Sequence, residues 1–275
     1  MAVISPIWKD TYYTTSTSPI DYYITVDGLE IFRGRGVIRP DADNVKINVA
    51  RICENYLSTD MLSFTGSSVS HPNAIRTFTL KSTGGTTLET YKFLNCWDRN
   101  VNYTGGSLTL SYSHTGAITG QKGLSTSTNG TNVTTTISTL TGTLCGTHAL
   151  YYLNRAGGWC SLPITGKVVK KDTYDRHFID QSYDNNTIEY QKRPYRNNIS
   201  STYEMHTGWV SEEEGNLIAY NLLSTNNLYI HDICNNNIFP AYITDTNVEY
   251  KTFKNGRKLI NYTINAQTSQ SDLIL

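Results

Sequence analysis

The sequence predicts a mainly β protein: two antiparallel β-sandwich or barrel modules with one or two short helices, at about 48–58 and 211–224. Three observations carry that expectation. Runs rich in β-branched and aromatic residues recur in pairs around turn-forming residues, a single segment has strong helix-start chemistry, and charged residues make up only 17% of the chain. Thr, Ser, Asn and Tyr take the place of the missing charge.

Residues 1–19 read as an N-terminal arm, because apolar residues are scattered there without a clear partner run. The first hairpin is DYYITVDGLEIFRGRG, where Asp27-Gly28 favours a type I′ turn. In NVKINVARICENYLSTD a strand through Val45, Ile47 and Val49 runs into a helical turn or two carrying Ile52, Tyr56 and Leu57. AIRTFTLKSTGGTTLETYKFLNCW gives a second hairpin around Gly84-Gly85. From 104 to 146 the chain is a Ser/Thr/Gly-rich insertion. Its apolar beats, LTLSY and NVTTTISTL, suggest strands joined by mobile loops, with disorder over part of the stretch as the competing reading.

HALYYLNRAGGWCSLPITGKVVKK supplies a third hairpin turning at Ala156, Gly157 and Gly158, and Pro163 places its second strand at an edge or bulge. The polar stretch KKDTYDRHFIDQSYDNNTIEYQKRPYRNN has no clean period and reads as a linker or long exposed loop. A domain boundary near 170 follows, giving a first module over 20–170, a second over 171–265, and a C-terminal tail over 266–275. In SEEEGNLIAYNLLST, Ser211 and Glu214 form an S-x-x-E capping box, and three glutamates sit at the positive end of the helix dipole. NLYIHDICNNNIFPAYITD and NVEYKTFKNGRKLINYTIN then predict a four-strand meander turning at Asn235 to Asn237 and at Asn255-Gly256.

Lys plus Arg and Asp plus Glu are equal at 23 each, so no net field draws the chain toward nucleic acid or an anionic membrane. Five cysteines, odd in number and widely spread, suit reduced thiols and folding in a cytoplasm. Pro6, Trp8, Lys9 and Asp10 interrupt the apolar segment a signal peptide needs, and no run reaches membrane-spanning length. A polar, weakly ionic surface points to contacts made by shape, hydrogen bonds and aromatic burial.

Catalytic readings are weak. Cys160 in GGWC, with His148 upstream, could be a nucleophile and its base. A reactive thiol needs a lowered pKa and a base within reach, and here Cys160 starts a strand while His148 sits at the far end of its partner. The packed small hydrophobe is the better reading. C-G-T-H at 145–148 and H-D-I-C at 231–234 have zinc-like spacers, but both fall on strands rather than in a knuckle. Gly34 and Gly36 read as bulge or turn positions, since no phosphate-binding motif surrounds them. Glu212, Glu213 and Glu214 are explained by capping, no G-x-S-x-G is present, and no segment argues for a glycosidase carboxylate pair. No cofactor or metal is expected. Trp8, Trp97, Trp159 and Trp209 could stack sugars, anchor an interface, or simply fill the core.

PIWKDTYYTTS, HALYYLNRAGGWCSL, MHTGWVSEEEGNLIAYNLLST and VEYKTFKNGRKLINYTIN together resemble structural tail proteins of tailed bacteriophages that infect Bacteroides-type bacteria, the crAss-like phages among them. The resemblance spans most of the chain in order; the stretch 104–146 matches least. It implies a non-enzymatic virion component, a tail hub or ring protein that forms a closed homo-oligomer, usually of six or twelve copies, and docks adjoining tail proteins. Trp8, Tyr12, Tyr13, Leu273, Ile274 and Leu275, in the two terminal segments, are the expected interface residues. No sequence-specific nucleic-acid contact and no membrane insertion are expected. The alternative is a receptor- or glycan-binding tail module using the loops of 104–143. A thiol or zinc hydrolase is a third, weaker class.

Overall fold

The computed structural model describes residues 3–15, 19–38, 43–98, 106–180, 192–244, 260–269 and 272–274. It is mainly β, with 54% strand, 9% helix and no closed barrel; its sheets are sandwich-like. Two units interleave along the chain: one holds Met1–Ser113, Lys122–Ser138 and Leu153–Cys160, the other His114–Gln121, Thr139–Tyr152 and Ser161–Leu275. The boundary expected near 170 therefore falls inside the second unit. Strands distant in sequence pair with one another, which a local composition shift does not register.

In the first unit the strands are β1 (Ile4–Pro6), β2 (Tyr12–Thr15), β3 (Ile20–Val26), β4 (Leu29–Gly36), β5 (Val45–Asn48), β6 (Ser68–His71), β7 (Ile75–Ser82), β8 (Thr87–Leu94), β9 (Leu108–Thr109), β10 (Lys122–Thr128) and β11 (Val133–Thr139). The central sheet has the order β1-β8-β7-β3-β4. Both expected hairpins in it are present. Asp27 and Gly28 take φ of 49° and 84°, the two left-handed residues a type I′ turn needs, and Gly85 turns β7 into β8 with φ 85°. Asn48 caps the short helix α1 (Val49–Cys53), its side chain accepting the Arg51 N–H at 3.4 Å, and a 3₁₀ turn over Glu54–Tyr56 completes the helix expected at 48–58.

Alternation on the central strands fills two cores. Ile24, Phe78, Leu80 and Phe93 pack with Val45, Ile47 and Val49 in one buried cluster. Ile4, Ile75 and Leu94 pack with Leu110 and Val133 in another, beneath the second sheet, β6-β11-β10-β9. Three strands of that second sheet, β9, β10 and β11, come from the Ser/Thr-rich tract, which is therefore ordered there, and β10 had no separate sequence signal. Its inward positions include threonines with satisfied hydroxyls. Thr126 and Thr135 are fully buried and bond to each other at 2.8 Å, and Thr135 also meets His71 Nε2 at 2.8 Å.

His71 is fully buried and its Nδ1 meets no hydrogen-bond partner among the described residues. Burial pushes its pKa down, against a smaller upward pull from Asp60, and burial likewise lowers His114 and His148. Below the unfolded value of about 6.5, the unfolded chain therefore takes up protons that the folded chain refuses. Their contribution is whole above that pH and is lost as pH falls below it, at up to about 1.4 kcal/mol per pH unit for each histidine. The melting temperature is expected to fall from pH 7 to pH 5, with a shallower slope in His71→Gln; a flat wild-type profile contradicts this.

The second unit contains β12 (His148–Leu153) and β13 (Trp159–Ile164), whose far ends and turn are counted with the first unit. It also holds β14 (Val168–Asp180), β15 (Lys192–His206), β16 (Leu228–Asp232), β17 (Asn237–Ile243), β18 (Thr263–Thr268) and β19 (Asp272–Ile274). They form one eight-stranded sheet, β13-β12-β16-β17-β18-β15-β14, with β19 also paired to β15. Pro163 lies on β13, the strand at the end of the sheet order, the edge position expected for a proline. Asn236, with φ 51°, turns β16 into β17 as expected. The turn expected at Asn255-Gly256 and the strand before it lie outside the described residues, while the last strand of the meander is β18, paired with β17 and β15.

Helix α2 (Glu212–Leu217) begins with the reciprocal capping box of Ser211 and Glu214 and continues as a π turn over Ile218–Leu222, matching the helix expected at 211–224. Gly215 sits where an added Cβ would come within 3.0 Å of Ile260, so the glycine lets the helix approach closely. Among the described residues, no helix is long and apolar enough to cross a membrane.

Candidate assembly interface

Val168–Asp180 and Lys192–His206 pair as two long antiparallel strands in place of the expected linker or exposed loop. Polarity concealed it: Val168, Val169, Thr173, Tyr174, Phe178 and Ile179 favour a strand, but polar residues occupy both faces between them, leaving no period-two pattern. Register runs from Val168 opposite Met205 to Asp180 opposite Lys192, with a shift after His177 that leaves Tyr195 as the extra residue of a bulge. Pro194 lies next to that bulge.

At its base the hairpin belongs to the sheet. Thr202–His206 of β15 pair with β18, and Asn197–Ile199 pair with β19. Lys171 meets Glu204 at 3.0 Å and Ser201 donates to Asp172 at 2.6 Å. These contacts hold the carboxyl of Asp172 below its usual range, chiefly through the Ser201 hydroxyl, and that of Glu204, chiefly through Lys171. Further out, Arg196 and its neighbours toward Lys192 have only β14 beside them among the described residues, and β14 ends the sheet order.

Among the described residues the outer part is therefore a two-stranded ribbon with no strand along the outer edge of β14. Residues 170–179 are all exposed. Tyr174 (57%), Phe178 (52%), Ile179 (52%) and Tyr195 (52%) carry the apolar surface. Tyr174 and Phe178 share one face by alternation and Ile179 takes the other, so neither face has a core to cover. A two-stranded ribbon is marginal in water by itself, and a long edge with free N–H and C=O groups is a template for another strand.

The expected interface residues fall in two places. Trp8, Tyr12 and Tyr13 lie on the first unit, where their segment is fastened down rather than free. β1 runs parallel to β8, β2 pairs with β5, and Ile4 and Ile7 are each only 2% exposed. The Arg51 guanidinium lies 4.8 Å from the Trp8 ring centre, Lys46 Nζ lies 4.0 Å from that of Tyr12, and Tyr13 packs on the core. The N-terminal arm thus has local partners, supplied by strands the sequence could not pair with it. Leu273 and Ile274 belong to β19, beside the ribbon; Leu275 lies outside the described residues. The ribbon residues were not singled out from sequence, although Asp184-Asn185-Asn186 is a turn signal that could have found them.

Cys160 is fully buried, and its sulfur accepts from the Tyr112 N–H at 3.1 Å and from Asn154 Nδ2 at 3.0 Å. His148 is counted in the other unit, bonded to Thr147 at 2.8 Å and against the Tyr203 ring. The zinc-like halves do become neighbours, because β12 pairs with β16 and sets His148 opposite Asp232. Their side chains part: His231 bonds the Tyr151 hydroxyl at 2.7 Å and Asp232 bonds Asn235 at 2.7 Å. Among the described residues no three His, Cys, Asp or Glu side chains gather into a metal site. Gly34 and Gly36 are neither turn nor bulge positions: they lie within β4, and a Cβ on Gly36 would come within 2.5 Å of Val45.

The fold and this surface define a mainly β protein with an exposed β14–β15 hairpin at the end of its larger sheet. No protein-family model, no curated protein sequence and no solved structure matches the chain.

Proposed function

We propose that this chain is a non-enzymatic structural component of a bacteriophage tail, a hub or ring protein that closes into a cyclic homo-oligomer in the virion and docks adjoining tail proteins. The observation that carries the assembly reading is the β14–β15 ribbon, with apolar residues on both faces and, among the described residues, no strand along the outer edge of the thirteen-residue β14. Such a ribbon is completed by a different patch on the next copy, and a heterologous contact of that kind closes into a ring when its rotation closes. The phage-tail assignment rests on the sequence resemblance, which also sets the expectation of six or twelve copies. The balanced charge of 23 cationic and 23 acidic residues fits assembly without a nucleic-acid partner.

Native mass spectrometry and particle imaging test this. The wild type is expected to form a ring and to be found in virions. The double substitution Phe178→Asp with Tyr195→Asp is expected to leave monomers with an unchanged circular dichroism spectrum, since both residues are exposed. A wild-type chain that stays monomeric and is missing from particles overturns the proposal.

A further inference from the structure

We infer that the second unit carries a binding cleft for a neutral saccharide, with Trp209 as its stacking platform. The cleft, of about 330 Å³, is lined by Trp209, Leu144, Glu214 and the threonines 115, 165 and 207, among others. Its volume is at the lower end for small-ligand pockets, roughly 300–1,000 Å³, and suits about one or two sugar rings.

Trp209 is 68% exposed, yet its backbone is held firmly on both sides. Before it, Thr207 exchanges bonds with Tyr262, its N–H reaching the Tyr262 carbonyl at 3.0 Å and its hydroxyl accepting the Tyr262 N–H at 3.1 Å. The Thr165 hydroxyl donates to the Thr207 carbonyl at 2.9 Å. After it, Val210 and Ile260 exchange bonds at 2.9 and 3.0 Å. Gly208, with φ 79°, passes so close to Thr165 that a Cβ would lie 2.3 Å from its hydroxyl. A large indole left in water on a firmly held backbone suits binding, because only its two side-chain torsions remain to be ordered.

The facing polar groups are fixed as well. Glu214 Oε1 accepts the Thr115 N–H at 2.6 Å, while Oε2 takes part in the capping box. This ties the loop at Thr115 to the start of α2. Among the described residues Glu214 is the only ionic group lining the cleft, so a phosphate, uronate or sialylated ligand would meet a like charge. A desolvated cation would ask for further aromatic walls, and among the described residues Trp209 is the sole aromatic in the lining. An apolar ring bordered by carboxylate and hydroxyl oxygens suits a ligand with a C–H face and O–H donors, which is a neutral pyranose.

The full chain would be titrated with maltose, cellobiose and di-N-acetylchitobiose while the Trp209 indole resonance is followed by NMR, with sialyllactose and trimethyllysine as charged controls. The expected result is a saturable shift of that resonance with at least one neutral disaccharide, and an affinity, measured by isothermal titration calorimetry on both proteins, weakened at least about tenfold in Trp209→Ala. No shift with any neutral sugar overturns the inference, as does a shift with trimethyllysine alone. A loss of oligomer mass in Trp209→Ala without any sugar response also overturns it and makes the cleft a contact between copies. Ring formation is read separately, through Phe178 and Tyr195, so the two proposals can fail independently.

Discussion

Gly157→Ala is expected to destabilise the first unit by about 2–5 kcal/mol, the sum of a left-handed backbone cost of about 1–2 and an overpacking cost of about 1–3. Gly157 has φ 86°, and a Cβ there would lie 2.2 Å from the Asn95 carbonyl oxygen, a backbone atom that cannot swing aside. Its neighbour is equally confined: a Cβ on Gly158 would lie 2.4 Å from the Leu110 carbonyl oxygen. Gly28 provides the control. It has nearly the same φ, 84°, but nothing within 4 Å of an added Cβ, so Gly28→Ala pays the backbone cost alone. Urea denaturation followed at an unchanged m-value measures the difference. Equal losses at the two positions would show that close approach to Asn95 contributes nothing.

Trp159→Ala is expected to cost about 3–5 kcal/mol, a large share of the roughly 5–15 kcal/mol that holds a typical domain together. Trp159 is fully buried, its backbone N–H donates to Thr126 Oγ1 at 2.9 Å, and its backbone carbonyl accepts the Ser111 hydroxyl at 3.1 Å. The same turn is braced by Asn154, which donates to the Leu110 carbonyl at 2.7 Å and accepts the Gly158 N–H at 3.0 Å. Removing the indole leaves a cavity beside polar groups that remain bonded, so loss of packing dominates. Trp159→Phe refills part of the space and should recover part of the midpoint shift; an Ala variant as stable as wild type would show that the site collapses freely.

Local chemistry was legible. Asp27-Gly28, Gly84-Gly85, Asn236 and the Ser211–Glu214 box act within a few residues, and each appears where its sequence placed it. The hairpin at GGWC was legible too, but the reason for its two glycines was only half visible. One takes a left-handed turn conformation; both are needed because the Asn95 and Leu110 backbones press on them from distant parts of the chain. The polar ribbon was hidden by the opposite logic: with both faces in water, its strands show no alternation, and alternation is what reveals a strand.

For this protein, then, residue preferences established the β class, most of the hairpins, both helices and Cys160 as a packing residue. Tertiary structure decided the interleaving of two units, the fastening of the N-terminal segment through β1 and β2, the projection of Tyr174, Phe178 and Ile179, and the cleft beside Trp209. The division has a physical cause. Turns and caps depend on φ preferences and side-chain acceptors within a few residues, whereas pairing uses backbone N–H and C=O groups that nearly every residue carries. Which strands meet, and which side chains stay in water, is settled only when distant segments compete for the same core.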